Sequence, residues 1–136
     1  MNKLAVILRA AQLLAHEKHH TIAGATFLVD HPFLGDLYSA YEDAYDGVVE
    51  RIIGLGQKID IPTTGLDAAK TAAAWSKVGG MNDWPRLLLD VESEIRKEIA
   101  TLMKHGLSDG TQNFLQGIAD ESEVRSYKLR QRNGGK

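Results

Sequence analysis

The 136-residue sequence contains no cysteine, which excludes disulfide bonds, thiolate metal ligands and cysteine nucleophiles. It also lacks a long apolar run, because the run that begins at Leu4 is interrupted at Arg9 and cannot cross a bilayer. The net charge of −2 gives no global field that would attract nucleic acid, so DNA contact would need a local basic patch. With 43 % hydrophobic and 25 % charged residues, we expect one globular domain over residues 1–136, without membrane contact and in the cytoplasm.

Apolar residues recur at helical spacing in four long segments, and this pattern predicts an all-α fold. No stretch alternates with period two for long enough to predict a sheet. Asp30 is the expected N-cap of the second helix, with Pro32 in its first turn. On the third helix, Glu92 is expected on the solvated face with Glu94. The four predicted helices cover about residues 3–20, 30–55, 82–106 and 109–129.

A long connection over residues 57–81 separates the second and third helices and contains a short helical candidate at 66–77. The other two connections are short. This short–long–short order predicts a ferritin-like four-helix bundle with one long crossover that contains an extra short helix. The chain ends in a basic segment, 128–136, which is expected to be a flexible tail with weak affinity for DNA.

Four residues form the most informative constellation: His19, His31, Asp46 and Glu50. His19 ends the first predicted helix and His31 begins the second, so a short loop can bring the two imidazoles together. Asp46 and Glu50 are four positions apart and project from one face of the second helix. Such a mixed set of nitrogen and oxygen ligands suits iron, and zinc as a substitute.

The length of the second helix limits how these ligands can meet. His31 and Asp46 are 15 positions apart, which is about 22 Å along a helix. Metal–ligand bonds are only about 2 Å long, so one ion cannot bind both side chains of one chain. If they share an ion, they come from two subunits in an antiparallel two-fold dimer, whose axis then crosses this helix near Ser39 and Ala40.

The segment from His19 to Gly56 resembles the Dps-type miniferritins. The shared pattern is His19, Gly24, Phe27 and His31, followed by Asp46-x-x-x-Glu50-Arg51 and Leu55-Gly56. The resemblance implies a ferroxidase that oxidises Fe(II), often with hydrogen peroxide, and stores ferric mineral inside a twelve-subunit shell. It also implies that His19 and His31 come from one subunit and Asp46 and Glu50 from the other.

The sequence departs from that pattern at two positions. His20 replaces a common Trp, and Gly35 stands where many members have an acidic ligand. Asp36 and His20 are therefore secondary candidate ligands, while His16 and His20 are spaced to chelate zinc as a surface pair. Two other interpretations stay open: a structural or DNA-compacting oligomer with a vestigial metal site, and a monomeric or dimeric helical adaptor.

Overall fold

The computed structural model describes residues 1–80 and 82–136, and within these ranges it contains five helices and no strand. Met81, the last residue of the predicted connection, lies outside the described residues. None of the described helices has the length and apolar character that a membrane span needs. The all-α prediction is confirmed, with α1 at Asn2–Thr21, α2 at Phe27–Gly54, α3 at Ile61–Val78, α4 at Trp84–Leu102 and α5 at Asp109–Arg132.

The helix directions follow from contacts along the bundle. The rings of Phe33 and Trp84 lie 6.2 Å apart, and eight residues further along each helix Tyr41 donates to Glu92. α2 and α4 therefore run parallel, which requires a connection that returns along the bundle. The connection between α2 and α4 includes α3, whose Ala68 and Ala72 pack against α1. Most of the core comes from the other four helices.

Local caps explain where two of the helices begin. The Asp60 side chain accepts a 2.9 Å hydrogen bond from the Thr63 amide, so α3 starts at Ile61, earlier than the predicted residue 66. Ser108 caps α5 in the same way, through the Thr111 amide. The prediction that Asp30 caps α2 was wrong, because α2 begins at Phe27 and Asp30 lies in its first turn.

A buried ion pair between Glu92 of α4 and Arg125 of α5 differs from what the sequence predicted. Glu92 was predicted to face solvent, yet it is fully buried. Its carboxylate accepts hydrogen bonds from Arg125, from Ser122 and from the Tyr41 hydroxyl. Burial, followed by the negative charge of Glu92, raises the pKa of Tyr41 well above its usual value. All three partners of Glu92 are themselves buried, so this network is part of the core.

The basic C-terminal segment also differs from the expected flexible tail. Residues 128–132 complete α5, and Leu129 is fully buried in the core. Arg132 donates two 2.7 Å hydrogen bonds to the buried Asp30 carboxylate, which ties the end of α5 to the start of α2. The buried leucine and the ion pair hold this part of the helix in place. Only residues 133–136 lie beyond α5.

Candidate metal centre

The structure brings His19 and His31 together at one end of the bundle. α1 ends at Thr21 and α2 begins at Phe27, so five residues connect them. The two imidazole rings stack with their centroids 3.7 Å apart and their planes inclined by 23°. Both side chains are half-buried. The pairing predicted from the short loop is therefore present within one chain.

Reciprocal hydrogen bonds fix the orientation of both rings. His19 Nδ1 lies 2.7 Å from the carbonyl oxygen of His31, and His31 Nδ1 lies 2.9 Å from the carbonyl oxygen of His19. A carbonyl oxygen can only accept, so each Nδ1 carries the proton. In the neutral imidazole, each Nε2 then keeps its lone pair. A metal-binding histidine is oriented in the same way, by donating its second ring nitrogen to a carbonyl or carboxylate.

Asp46 and Glu50 lie one turn apart on α2, and both are exposed. Neither carboxylate takes part in any of the ion pairs found among the described residues. Two unpaired carboxylates one turn apart form a small negatively charged patch, which favours a cation. The chain therefore offers a second group of potential ligands, distinct from the imidazole pair.

The two ligand groups do not meet within one chain. α2 is continuous from Phe27 to Gly54, so about 22 Å of helix separates His31 from Asp46. In the described residues, no group of three or more His, Asp or Glu side chains is placed to hold one metal ion. A site that uses both groups therefore needs two copies of the chain.

The secondary candidates lie in different places. His20 contacts His16, whereas Asp36 lines a groove between α2 and α5 together with Asp120 and Glu121. The groove lies away from the histidine pair, so Asp36 is not brought to His19 and His31. Gly35 is the residue that faces them, since a Cβ built on it would lie 3.5 Å from His19 Cε1. The α2 position that faces His19 therefore carries no ligand.

The Tyr38 ring of α2 also packs against this group of histidines. The Tyr38 ring lies 4.4 Å from His16 and 5.2 Å from His19, measured between ring centroids. The spacing contained a signal for this contact, because Tyr38 follows His31 by seven residues, which is close to two helical turns. Tyr38 thus helps to hold the imidazole cluster against α2.

The basic residues at the end of α5 are only partly available to an anionic partner. Arg132 is bound to Asp30, and its guanidinium lies 5.6 Å from the centroid of the Trp84 ring. Lys128 and Arg130 are exposed. The ion pair removes one of the few cations on which weak DNA binding was predicted.

The chain therefore provides two separate groups of potential ligands, the first shared between α1 and α2 and the second on α2 alone. The first group has two oriented imidazoles, and the second has two exposed carboxylates. Such a combination of nitrogen and oxygen ligands suits divalent ions such as Fe(II) and Zn(II). No protein-family model, curated protein or solved structure matches this chain.

Proposed function

We propose that the protein is a ferroxidase and iron-storage protein, whose subunits pair so that each Fe(II) site takes ligands from two chains. The observation that carries the proposal is the His19–His31 pair, in which both Nδ1 atoms are bonded to backbone carbonyls. This arrangement orients both imidazoles without using their Nε2 atoms.

A continuous exposed face of α2 supports the pairing of two subunits. At about 100° per residue, eight side-chain positions of α2 fall within about 40° of the direction of Ser39. All but the half-buried Gly35 are exposed, and Leu28 and Ile53 at the two ends expose 85 % and 58 % of their surface. The eight positions are Leu28, Pro32, Gly35, Ser39, Asp43, Asp46, Glu50 and Ile53.

An antiparallel dimer with its axis near residues 39 and 40 would pack this face against the same face of the second subunit. Each Asp46–Glu50 pair then lies level with the histidine pair of the other subunit. Leu28 of one subunit then lies close to the partner subunit's Ile53, with an offset of only about 3 Å along the helix axis. The two exposed apolar side chains can therefore cover each other. Gly35 and Ser39 are small, which allows close approach at the centre.

The resemblance of residues 19–56 to the Dps-type miniferritins gives independent support. The parallel directions of α2 and α4, joined by a long crossover that contains α3, support a ferritin-like bundle. By this resemblance the dimers assemble into a hollow shell of twelve subunits that contains the ferric product. The same resemblance proposes iron as the substrate, with zinc as a substitute ion at these ligands.

The proposed chemistry assigns simple roles to the four ligands. The imidazoles of His19 and His31 bind Fe(II), and the carboxylates of Asp46 and Glu50 stabilise the higher charge of Fe(III). Each Fe(II) gives one electron to the oxidant. With hydrogen peroxide, two electrons and two protons break the O–O bond and form two water molecules. Storage of the ferric product then keeps iron away from radical chemistry.

One observation favours a second candidate, an oligomeric scaffold with a vestigial metal site. Gly35 faces His19 and offers no ligand, so the site has one acidic side chain fewer than the family pattern. A scaffold would still use the exposed α2 face to assemble. It would not need the Nε2 atoms of the histidine pair.

Anaerobic addition of Fe(II) followed by air separates the two candidates. A ferroxidase gives a rapid rise in ferric absorbance, well above the rate of Fe(II) in buffer. The His31→Gln variant should lose that rise, and His105→Gln serves as the control because His105 lies exposed beyond the end of α4. A parent protein that oxidises Fe(II) no faster than buffer would leave the scaffold as the better description.

A further inference from the structure

His16 and His20 form a second imidazole pair, near the end of α1. Their Nε2 atoms lie 3.0 Å apart, and their ring centroids lie 4.5 Å apart. A spacing of four residues places both side chains on one face of the helix. Unlike His19 and His31, these two histidines direct their Nε2 atoms at each other. Without a metal, one Nε2–H donates to the other Nε2.

The separation of the two Nε2 atoms allows both of them to bind the same metal ion. A metal ion about 2.05 Å from both Nε2 atoms would see them at an angle of about 94°, given their 3.0 Å separation. That angle matches neighbouring positions of a square-planar or octahedral ion, whereas a tetrahedral ion prefers about 109°. Cu(II) and Ni(II) favour tetragonal sites with nitrogen ligands, and Cu(II) binds such ligands most strongly among the divalent first-row ions.

The pair is also partly preorganised. Both histidines lie within the last two turns of α1, so the helix fixes the distance between their backbones. The His16 ring packs against Tyr38 of α2, with ring centroids 4.4 Å apart, and is half-buried. His20 is exposed, so an ion can reach the pair from solvent.

We propose that His16 and His20 form a separate chelating site for a tetragonal divalent ion, Cu²⁺ or Ni²⁺, with water in the remaining positions. The site lies within a single chain and needs no second subunit. It goes beyond the proposed iron chemistry and does not depend on it. The two imidazole pairs would then divide the four histidines at this end of the bundle into two functions.

Ni²⁺ binding to the full-length protein tests the proposal by calorimetry. His16→Gln and His20→Gln should each weaken this binding about tenfold or more, because one of the two protein ligands is lost. His105→Gln is the matched control, since it removes an exposed histidine far along the chain and should leave the isotherm unchanged. Circular dichroism shows whether each variant is folded. If one variant has a folding defect, the other still tests the site.

His19→Gln distinguishes this site from the proposed iron site. It should slow Fe(II) oxidation if the proposed function is correct, yet it should keep Ni²⁺ bound at His16 and His20. Cu²⁺ added to the parent should give a tetragonal electron paramagnetic resonance spectrum with splitting from two nitrogens, and His20→Gln should remove one nitrogen. Parent-like Ni²⁺ binding in both His16→Gln and His20→Gln would overturn the proposal, as would loss of the site in His19→Gln.

Discussion

Asp46 is the residue on which the shared-site proposal depends most directly. We expect Asp46→Ala to slow Fe(II) oxidation while the bundle stays folded, because Asp46 is exposed and alanine favours helix. The free energy of unfolding should change by less than about 0.5 kcal/mol, as is usual for surface substitutions. Stopped-flow ferric absorbance measures the rate, and urea unfolding measures the stability.

The matched control is Asp90→Ala, which removes a carboxylate from α4, outside both groups of potential ligands. It should oxidise Fe(II) at the parent rate. If Asp46→Ala and Asp90→Ala behave alike in oxidation, Asp46 is not a ligand. If Asp46→Ala unfolds, its role is in stability and the assignment is also wrong.

Arg125 illustrates the cost of leaving a charge unpaired in the core. We expect Arg125→Met to lower the free energy of unfolding by about 3–5 kcal/mol, because Glu92 stays buried without its cation. The double variant Glu92→Gln with Arg125→Met should lose less free energy of unfolding than Arg125→Met alone. The neutral amide that replaces the carboxylate can still accept from Tyr41 and needs no counter-charge. Urea unfolding of the parent, Arg125→Met and the double variant measures these losses. A double variant less stable than Arg125→Met would contradict this account.

The sequence could identify some of these residues but could not assign the environments of others. The proximity of His19 to His31 was predictable because a short loop joins their helices, and the shared face of Asp46 and Glu50 was predictable from one helical turn. Glu92 depends on Arg125, 33 positions away, and Asp30 depends on Arg132, 102 positions away. Helical periodicity describes one helix at a time, so it treated Glu92 as solvated and Asp30 as a cap.

At the scale of elements, the ion pair between Asp30 and Arg132 joins α2 to α5. The hydrogen bond from Arg132 lowers the pKa of Asp30 below its ordinary value of 3.8. A carboxyl whose pKa is lower in the folded state stabilises the fold above its unfolded-state pKa. That stabilisation is lost as the pH falls through the folded-state pKa.

We therefore expect the stability difference between the parent and Arg132→Gln to be constant above about pH 5 and to shrink below about pH 4. The urea midpoint of both proteins, measured across this range, tests the prediction. Arg130→Gln is the control, because Arg130 is exposed on the same helix and takes part in no ion pair among the described residues. A difference that stays the same down to about pH 2, or that appears equally in Arg130→Gln, would contradict it.

The direction of α4 relative to α2 was predictable, because connection length constrains direction. Two short connections and one long one predicted the return of the chain between α2 and α4, and the structure contains α3 within that return. Helix ends were less predictable, since Asp60 and Ser108 act as caps while Asp30 does not. The end of α5 was misjudged because a basic composition resembles a tail, whereas Leu129 and the Asp30 ion pair hold it in the bundle.

At the scale of the whole molecule, the proposal requires two identical sites related by a two-fold axis. Each site takes its imidazoles from one chain and its carboxylates from the other. Two variants damage opposite halves: His31→Ala removes an imidazole, and Asp46→Ala with Glu50→Ala removes both carboxylates. Each variant alone should be a poor ferroxidase, because both sites in its homodimer carry the same defect.

Mixed dimers of these two variants should recover about half of the parent rate, by counting two isologous sites. One site receives the altered residues of both chains and is inactive. The other receives His31 from the carboxylate variant and Asp46 and Glu50 from the histidine variant, so its ligands are complete. Co-expression with two different affinity tags isolates the mixed species, and the Fe(II) oxidation rate per dimer is the measurement. Sites built within single chains would give no recovery, since every chain would still carry its own defect, and that result would refute ligation across the dimer.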